Sequence, residues 1–334
     1  MLPVASSLRR GKGKSRHLFS KGERTRIVWT LVAAALLLLV ASLQSRSSEL
    51  SPASLAAWDR YILAQSARVR QSAQGGSFLW SDESPDRVRR LREGEILIAP
   101  LGENPKVVAH ALIHHWIGAI FLPNARLEDV LQVVRDYDRY KDFYAPNVIE
   151  SKRLSETGTD DTFSVRMLNK AVVANFALDA HLQTSYAQVD KNRWYSVGFS
   201  TRIREIEEYG HADQYELPAG TGHGFIWRLY NVSRFEQRDG GVYVELEAAA
   251  LSRDVPPTLR WLVSPVVRRV SKASMLVSLQ KTQAAVLATS ELATRATGNN
   301  QVIEEQSVPA NKSLAPEVGN GFVQNKPFRP RHSN

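Results

Sequence analysis

The sequence predicts an α+β fold in which a curved antiparallel sheet wraps around a long C-terminal helix. Three observations carry this. Extended segments rich in Ile, Val, Leu and aromatics follow one another from Val148 to Leu251, separated by short polar turns. Arg238-Asp239-Gly240-Gly241, between the last two, is a strong hairpin signal. After Asp254, apolar residues recur at helical spacing from Leu259 to Leu287.

The chain has 334 residues and a net charge of +9. Most of that charge sits in residues 1–26, where eight Lys/Arg face one Glu, so the remainder is nearly neutral. Nucleic-acid binding needs clustered cations on the folded body, and none is visible there. No cysteine is present, which excludes disulfides, thiol catalysis and thiolate metal sites. Ile27 to Leu43 carries no charge and is apolar on every side, short for a membrane span but behind a long basic run. It reads as a signal anchor, or as a signal peptide cleaved near Val40-Ala41-Ser42. Either reading keeps the basic segment cytoplasmic and sends the rest across, to the periplasmic side or into secretion. Lys12-Gly13-Lys14-Ser15 lacks the first glycine and preceding strand of a phosphate loop.

The expected organisation is a basic segment 1–26, an anchor 27–44, a helical segment with a loop 45–90, the main domain 91–290 and a disordered tail 291–334. Within 51–73, Leu55, Trp58, Ile62 and Val69 share one helical face, with Ser51 as N-cap and Pro52 at the first position. Residues 74–90 read as a loop. Glu95–Leu101 and Val107–Leu122 read as strands around Gly102-Glu103-Asn104-Pro105. Asn124 is placed to cap a helix with the stripe Leu127, Val130, Leu131 and Val134. Strands follow at 148–154, 162–168, 174–189, 193–206, 225–237 and 242–251. In the last, Val242, Val244, Leu246, Ala248 and Ala250 alternate with Tyr243, Glu245 and Glu247, which predicts one dry face and one solvated face. The final helix carries the stripe Leu259, Val263, Val266, Val270, Ala273, Val277, Ala284 and Leu287, with Pro265 expected to kink it or split off a first turn.

The order strand, helix, antiparallel strands, long helix is the layout of the helix-grip fold. Leu127 to Val148, with its D-Y-x-x-Y ending before a proline, Val242 to Pro256, running through Ser-Arg-Asp-Val-Pro, and Leu259 to Leu287 resemble the START-like (SRPBCC) superfamily. This superfamily includes polyketide cyclase-type and coenzyme Q-binding proteins. His114-His115-Trp116-Ile117-Gly118 and His223-Gly224-Phe225-Ile226-Trp227-Arg228-Leu229 narrow the resemblance to an exported bacterial group, for which it implies no activity. The resemblance implies a cleft between sheet and C-terminal helix that holds an apolar molecule such as a lipid or quinone. It also leaves open a cyclase or hydrolase using that cleft, or an interaction module in which it is filled.

The residues expected to line the cleft are Tyr186, Phe199, Trp227, Leu229 and Leu246 from strands, with Val263 and Val270 from the last helix. No catalytic residue, metal or cofactor is expected, and the partners are an apolar ligand and a membrane. His110, His114 and His115 suggest a metal, but they lie in a strand context with no Glu at Ala111, so they read as satisfied or exposed. Glu245 and Glu247 read as a solvated face rather than an acid/base pair. Asp254 in Ser252-Arg253-Asp254 reads as a helix cap. Arg202, Arg204 and Arg228 are expected to pair with acids such as Glu205, Glu207 or Glu208. The Gly220-Thr221-Gly222-His223-Gly224 run reads as a loop. For an enzyme, His181 and Tyr195 are the first residues to test.

Overall fold

The protein was analysed as a computed structural model, which describes residues 48–171 and 174–306. The expected basic segment, the apolar anchor and the tail beyond residue 306 lie outside the described residues. Among the described residues no helix is long and apolar enough to cross a membrane. The chain divides into Met1–Ser290 and Glu291–Asn334. The sheet and its covering layers belong to the first unit, and residues 291–306 of the second are helical.

A short strand β1 (Ser48–Glu49) leads into helix α1 (Pro52–Gly75). Ser51 caps α1 as expected, its hydroxyl accepting from the Ser54 N–H at 3.0 Å. The expected loop after it holds a 3-10 turn (Ser81–Glu83) and helix α2 (Pro85–Arg92). Pro85 opens α2 and Arg89, Arg90 and Arg92 end it, an arrangement that suits the helix dipole. Strands β2 (Leu97–Pro100), β3 (Lys106–Val108) and β4 (Ala111–Pro123) follow, then helix α3 (Leu127–Arg135), a 3-10 turn (Tyr137–Arg139) and helix α4 (Tyr140–Phe143). Asn124 does not cap α3. It takes a left-handed turn (φ 61°), and Arg126 stands at the cap position.

Six long and two short strands follow: β5 (Val148–Thr157), β6 (Asp160–Ala171), β7 (Ala174–Gln188), β8 (Arg193–Glu207), β9 (Tyr215–Glu216), β10 (Thr221–Gly222), β11 (Arg228–Arg238) and β12 (Gly241–Arg253). The antiparallel order is β2-β4-β12-β11-β8-β7-β6-β5, with β3 on β4, β9 on β8, and β1 paired separately with β10. The β11–β12 hairpin turns at Asp239 (φ 56°) and Gly240 (φ 77°), the doubly left-handed pair that suits a two-residue turn. Helix α5 runs Pro257–Gln306 without a break at Pro265 and continues past Ala293, where the apolar periodicity fades.

The sheet is covered on both faces, which corrects the expectation of a solvated side. On the outer face, Trp58 and Val69 of α1 pack on Ile113, Val232, Ala249 and Leu251. Beside them Leu79 and Leu91 pack on Ala119, Phe121 and Tyr243. On the concave face, Trp116, Ile120, Val244 and Phe235 meet Val130 of α3 and Met275, Leu279 and Val286 of α5. The twelve residues Ala111–Leu122 are therefore all buried, as befits an apolar run with no wet side.

Candidate functional site

Strand register decides which side chains look into the concavity. Direct partners share a face. Trp116, Ala248, Asn231, Gly198 and Thr184 therefore form one row across five strands. Gly118, Leu246, Ser233, Ser196 and Tyr186 form the next row, and His114, Ala250 and Leu229 begin a third. The row through Gly118 carries the buried helix contact: a Cβ on Gly118 would lie 2.6 Å from Leu279 Cδ1 and 3.0 Å from Met275 Sδ.

The helix touches the sheet over only part of its length. Met275, Leu279, Thr282, Ala285 and Val286 are buried, whereas none of the described side chains of residues 257–274 is. Leu259, Val263, Val266 and Val270 are half-buried, and Trp261 is 76% exposed. The expected stripe holds for these early turns and slips later, where Ala273, Ala284 and Leu287 are exposed. Apolar residues surround much of the second half, and close approach at Gly118 selects the Met275–Leu279 side. On the sheet, Leu229, Leu246, Ala248 and Ala250 are half-buried as well. Half-buried apolar side chains on the concave face and on the early turns of α5 mark the strip between them as the candidate groove.

One end of the groove is closed by polar groups that satisfy one another. Tyr137 donates to Asp161 at 3.0 Å and stands 3.0 Å from the Tyr186 hydroxyl, while Arg135 grips both oxygens of Asp161 at 3.1 Å. Tyr140 donates to the Val134 carbonyl, and Tyr144 lies 2.9 Å from Thr282 of α5. Burial, more than any neighbour, drives the Tyr137 and Tyr186 hydroxyls far above their ordinary range, so they remain protonated. The D-Y-x-x-Y stretch is thus an end wall, stacked on Phe163.

Of the residues expected to line the cleft, Tyr186, Leu229 and Leu246 occupy the concave face, and Val263 and Val270 lie half-buried on α5. Phe199 and Trp227 do not join them. Phe199 pairs with Tyr230 on the outer face and is 41% exposed, and Trp227 is buried with Trp58 under α1. Phe199 lies three residues from the inward Ser196 on a regular stretch of β8, which puts it on the opposite face, and Trp227 sits in a bend before β11, outside its alternation. His181 and Tyr195 also point outward. His181 accepts from Arg202 at 2.6 Å, and Tyr195 packs in the outer clusters.

The outer face holds the charges that the sequence placed in water. Glu245 and Glu247 are both 0% exposed. Glu245 accepts from the Trp80 and Ser81 N–H groups at 2.8 Å, and burial pushes its carboxyl up against the pull of those donors. Glu247 is opposed by burial too, but His115 at 3.0 Å and the charges of Arg234 and Arg68 prevail and hold it at about 2. With His115 Nε2 donating to Glu247, Nδ1 accepts from Tyr61 at 2.6 Å. This chain links α1 to the sheet beneath it.

The three histidines do not converge: His110 is exposed in a turn (φ 54°), His114 faces the groove and His115 the opposite side. Glu205, Glu207 and His223 do cluster, with ligand-capable atoms within 4.8 Å of one another. Glu205 already accepts from the His223 and Phe225 N–H groups at 2.6 and 3.0 Å, and His223 Nε2 lies 3.0 Å from Glu207. The cluster therefore closes the 217–225 loop onto β8. Arg202 and Arg204 pair with Asp179 and Glu216 rather than with Glu205, Glu207 or Glu208, and Arg228 bonds the Trp227 carbonyl. Asp254 takes Arg260 at 2.7 Å.

His114, weighed in the sequence only as a metal ligand, stands on the concave face. It is 7% exposed, its Nε2 lies 3.0 Å from Ser252 Oγ, and burial lowers it to about 4. The pair looks like a base beside a nucleophile, yet no carboxylate meets Nδ1, and a base this weak is poorly matched to neutral pH.

The element order and the antiparallel sheet with a long C-terminal helix on its concave face together make an α+β helix-grip fold. No protein-family profile and no curated protein matches the sequence. Among solved structures the chain is similar to a STAR-related lipid transfer protein from Xanthomonas axonopodis, at 16% identity and TM-score 0.37, covering 57% of this chain and 98% of that one. It is similar to human STARD10 at 13% identity and TM-score 0.39, covering 68% and 89%. It is also similar to the Zhui aromatase/cyclase of Streptomyces sp. R1128 at 10% identity and TM-score 0.35, covering 52% and 93%. At these scores the likeness decides nothing about ligand or activity, and the layout stands on the strand register.

Proposed function

We propose that this protein binds and carries an apolar small molecule, of lipid or quinone type, in the groove between sheet and C-terminal helix, and that it does so at the outer face of a membrane. One observation carries the binding reading: the concave face keeps Leu229, Leu246, Ala248 and Ala250 half-buried, and the early turns of α5 keep Leu259, Val263, Val266 and Val270 half-buried. Concave, mostly apolar clefts with a few polar groups are where small molecules bind. Names among the structural neighbours are consistent with this, since they include a lipid transfer protein and a cyclase. The membrane part rests on the apolar stretch Ile27–Leu43 and the basic run before it.

The test is binding of Nile red, an uncharged apolar fluorophore, to the purified full chain, together with mass spectrometry of its organic extract. Saturable binding is expected, and Val270→Trp and Leu246→Trp should each weaken it about tenfold by filling the groove. Absence of both Nile red binding and any extractable apolar compound would remove the proposal. Fractionation of cells expressing the full chain tests the membrane part, which fails if the protein stays in the soluble cytoplasmic fraction.

A further inference from the structure

Resting on the groove as an apolar binding site, we infer that its floor holds a hydrogen-bonding seat for an uncharged hydroxyl or carbonyl group of an otherwise apolar ligand. The seat is built from Trp116 and His114 of β4, with Asn231 two strands away in the same row.

Two atoms point to it first. Trp116 Nε1 and His114 Nδ1 are closed off from water and have no hydrogen-bond partner. They belong to alternate residues of β4, so both side chains stand on the concave face. A buried donor or acceptor left unpaired costs about 1–3 kcal/mol, and native interiors pair nearly all of them. An indole can only donate, so what completes Trp116 must bring an acceptor oxygen or nitrogen. Ser252 can either donate to or accept from His114 Nε2, so Nδ1 can take the complementary role toward a ligand.

The row through Trp116 adds polar groups. Ala248 and Gly198 flank Asn231 on the floor. A Cβ at Gly198 would fall 2.3 Å from Asn231 Oδ1 and 2.8 Å from Thr184 Oγ1, so glycine lets these two polar side chains turn over that spot. The early turns of α5 are the half-buried part of the helix.

Charge narrows the ligand class. On the concave positions of β4, β12, β11, β8 and β7 there is no Lys or Arg. The acids on that side are engaged: Asp161 by Arg135 and Tyr137, Glu205 by backbone N–H groups, and Glu207 by His223. An anionic head would be desolvated without a counter-charge, whereas a neutral oxygen would find donors.

The experiment is displacement of Nile red from the full chain by decane, 1-decanol, 2-decanone and decanoate. The alcohol and ketone should act at about tenfold lower concentration than decane, the margin of one well-made hydrogen bond, and decanoate should gain nothing. Trp116→Phe keeps the ring and drops the donor, and it should erase most of that margin while still binding Nile red. If Trp116→Phe loses Nile red altogether, Asn231→Leu and His114→Phe decide the matter by the same margin. A preference for decanoate over decanol overturns the seat, as does an undiminished margin in the variants that bind dye. Failure of the wild-type chain to bind Nile red overturns the carrier reading itself.

Discussion

A carboxylate with no access to water is kept ionised at Glu247 by what surrounds it: His115, Arg234 and Arg68. Removing one member of a buried pair leaves the other charge stranded, so Glu247→Ala should cost about 3–5 kcal/mol in urea unfolding, against within about 0.5 kcal/mol for exposed Glu128→Ala. Because Glu247 sits at about 2 rather than 4.5, its stabilisation is complete above about pH 4.5 and is lost as pH falls toward 2. His114, neutral down to about 4 rather than 6.5, gives a second loss that begins as pH drops below 6.5 and ends near 4. At roughly 1.4 kcal/mol per pH unit, that window is worth about 3 kcal/mol. Burial raises Glu205 and Glu245, whose contributions run the other way, so the comparison of wild type with His114→Leu isolates the histidine. Thermal melts from about pH 7 to about pH 4 should show the variant losing less stability over that range; parallel curves would refute the assignment.

At the scale of elements, two packing contacts carry the arrangement. Gly118 lets α5 rest on β4, since any side chain there would strike Leu279 and Met275. Gly118→Val should destabilise by about 1–3 kcal/mol through overpacking, and Leu279→Ala in that background should recover part of the loss. Helix α1 seals the outer face through Trp58 and Val69. Trp58→Ala should cost about 3–5 kcal/mol and uncover apolar sheet surface, read as increased binding of a hydrophobic dye outside the groove. Both helices were legible as amphipathic segments. The seating of α5 was not, because Met275, Leu276, Val277 and Leu279 offer several apolar sides and only the gap at Gly118 selects one.

At the scale of the whole molecule, one sheet separates two unlike compartments. The outer one is covered by residues 52–92 and holds the buried charges, and the concave one carries half-buried apolar side chains on the sheet and on α5. A guest that fills the concave side should raise the melting temperature with its concentration, while leaving the Glu247 acid transition in place.

The sequence by itself determined the α+β class, the strand count of the long hairpins, the turn at Asp239-Gly240 and the long final helix, because these follow from local periodicity and turn chemistry. It also marked Leu229, Leu246 and Tyr186 as inward, since regular alternation holds at those positions. Only the tertiary structure decided that Glu245 and Glu247 are buried, that Phe199 and Trp227 face outward, and that His114 and Trp116 look into the groove with unpaired atoms. Alternation names two faces of a strand but not what covers them. That depends on segments far along the chain, here residues 52–92 and 275–286.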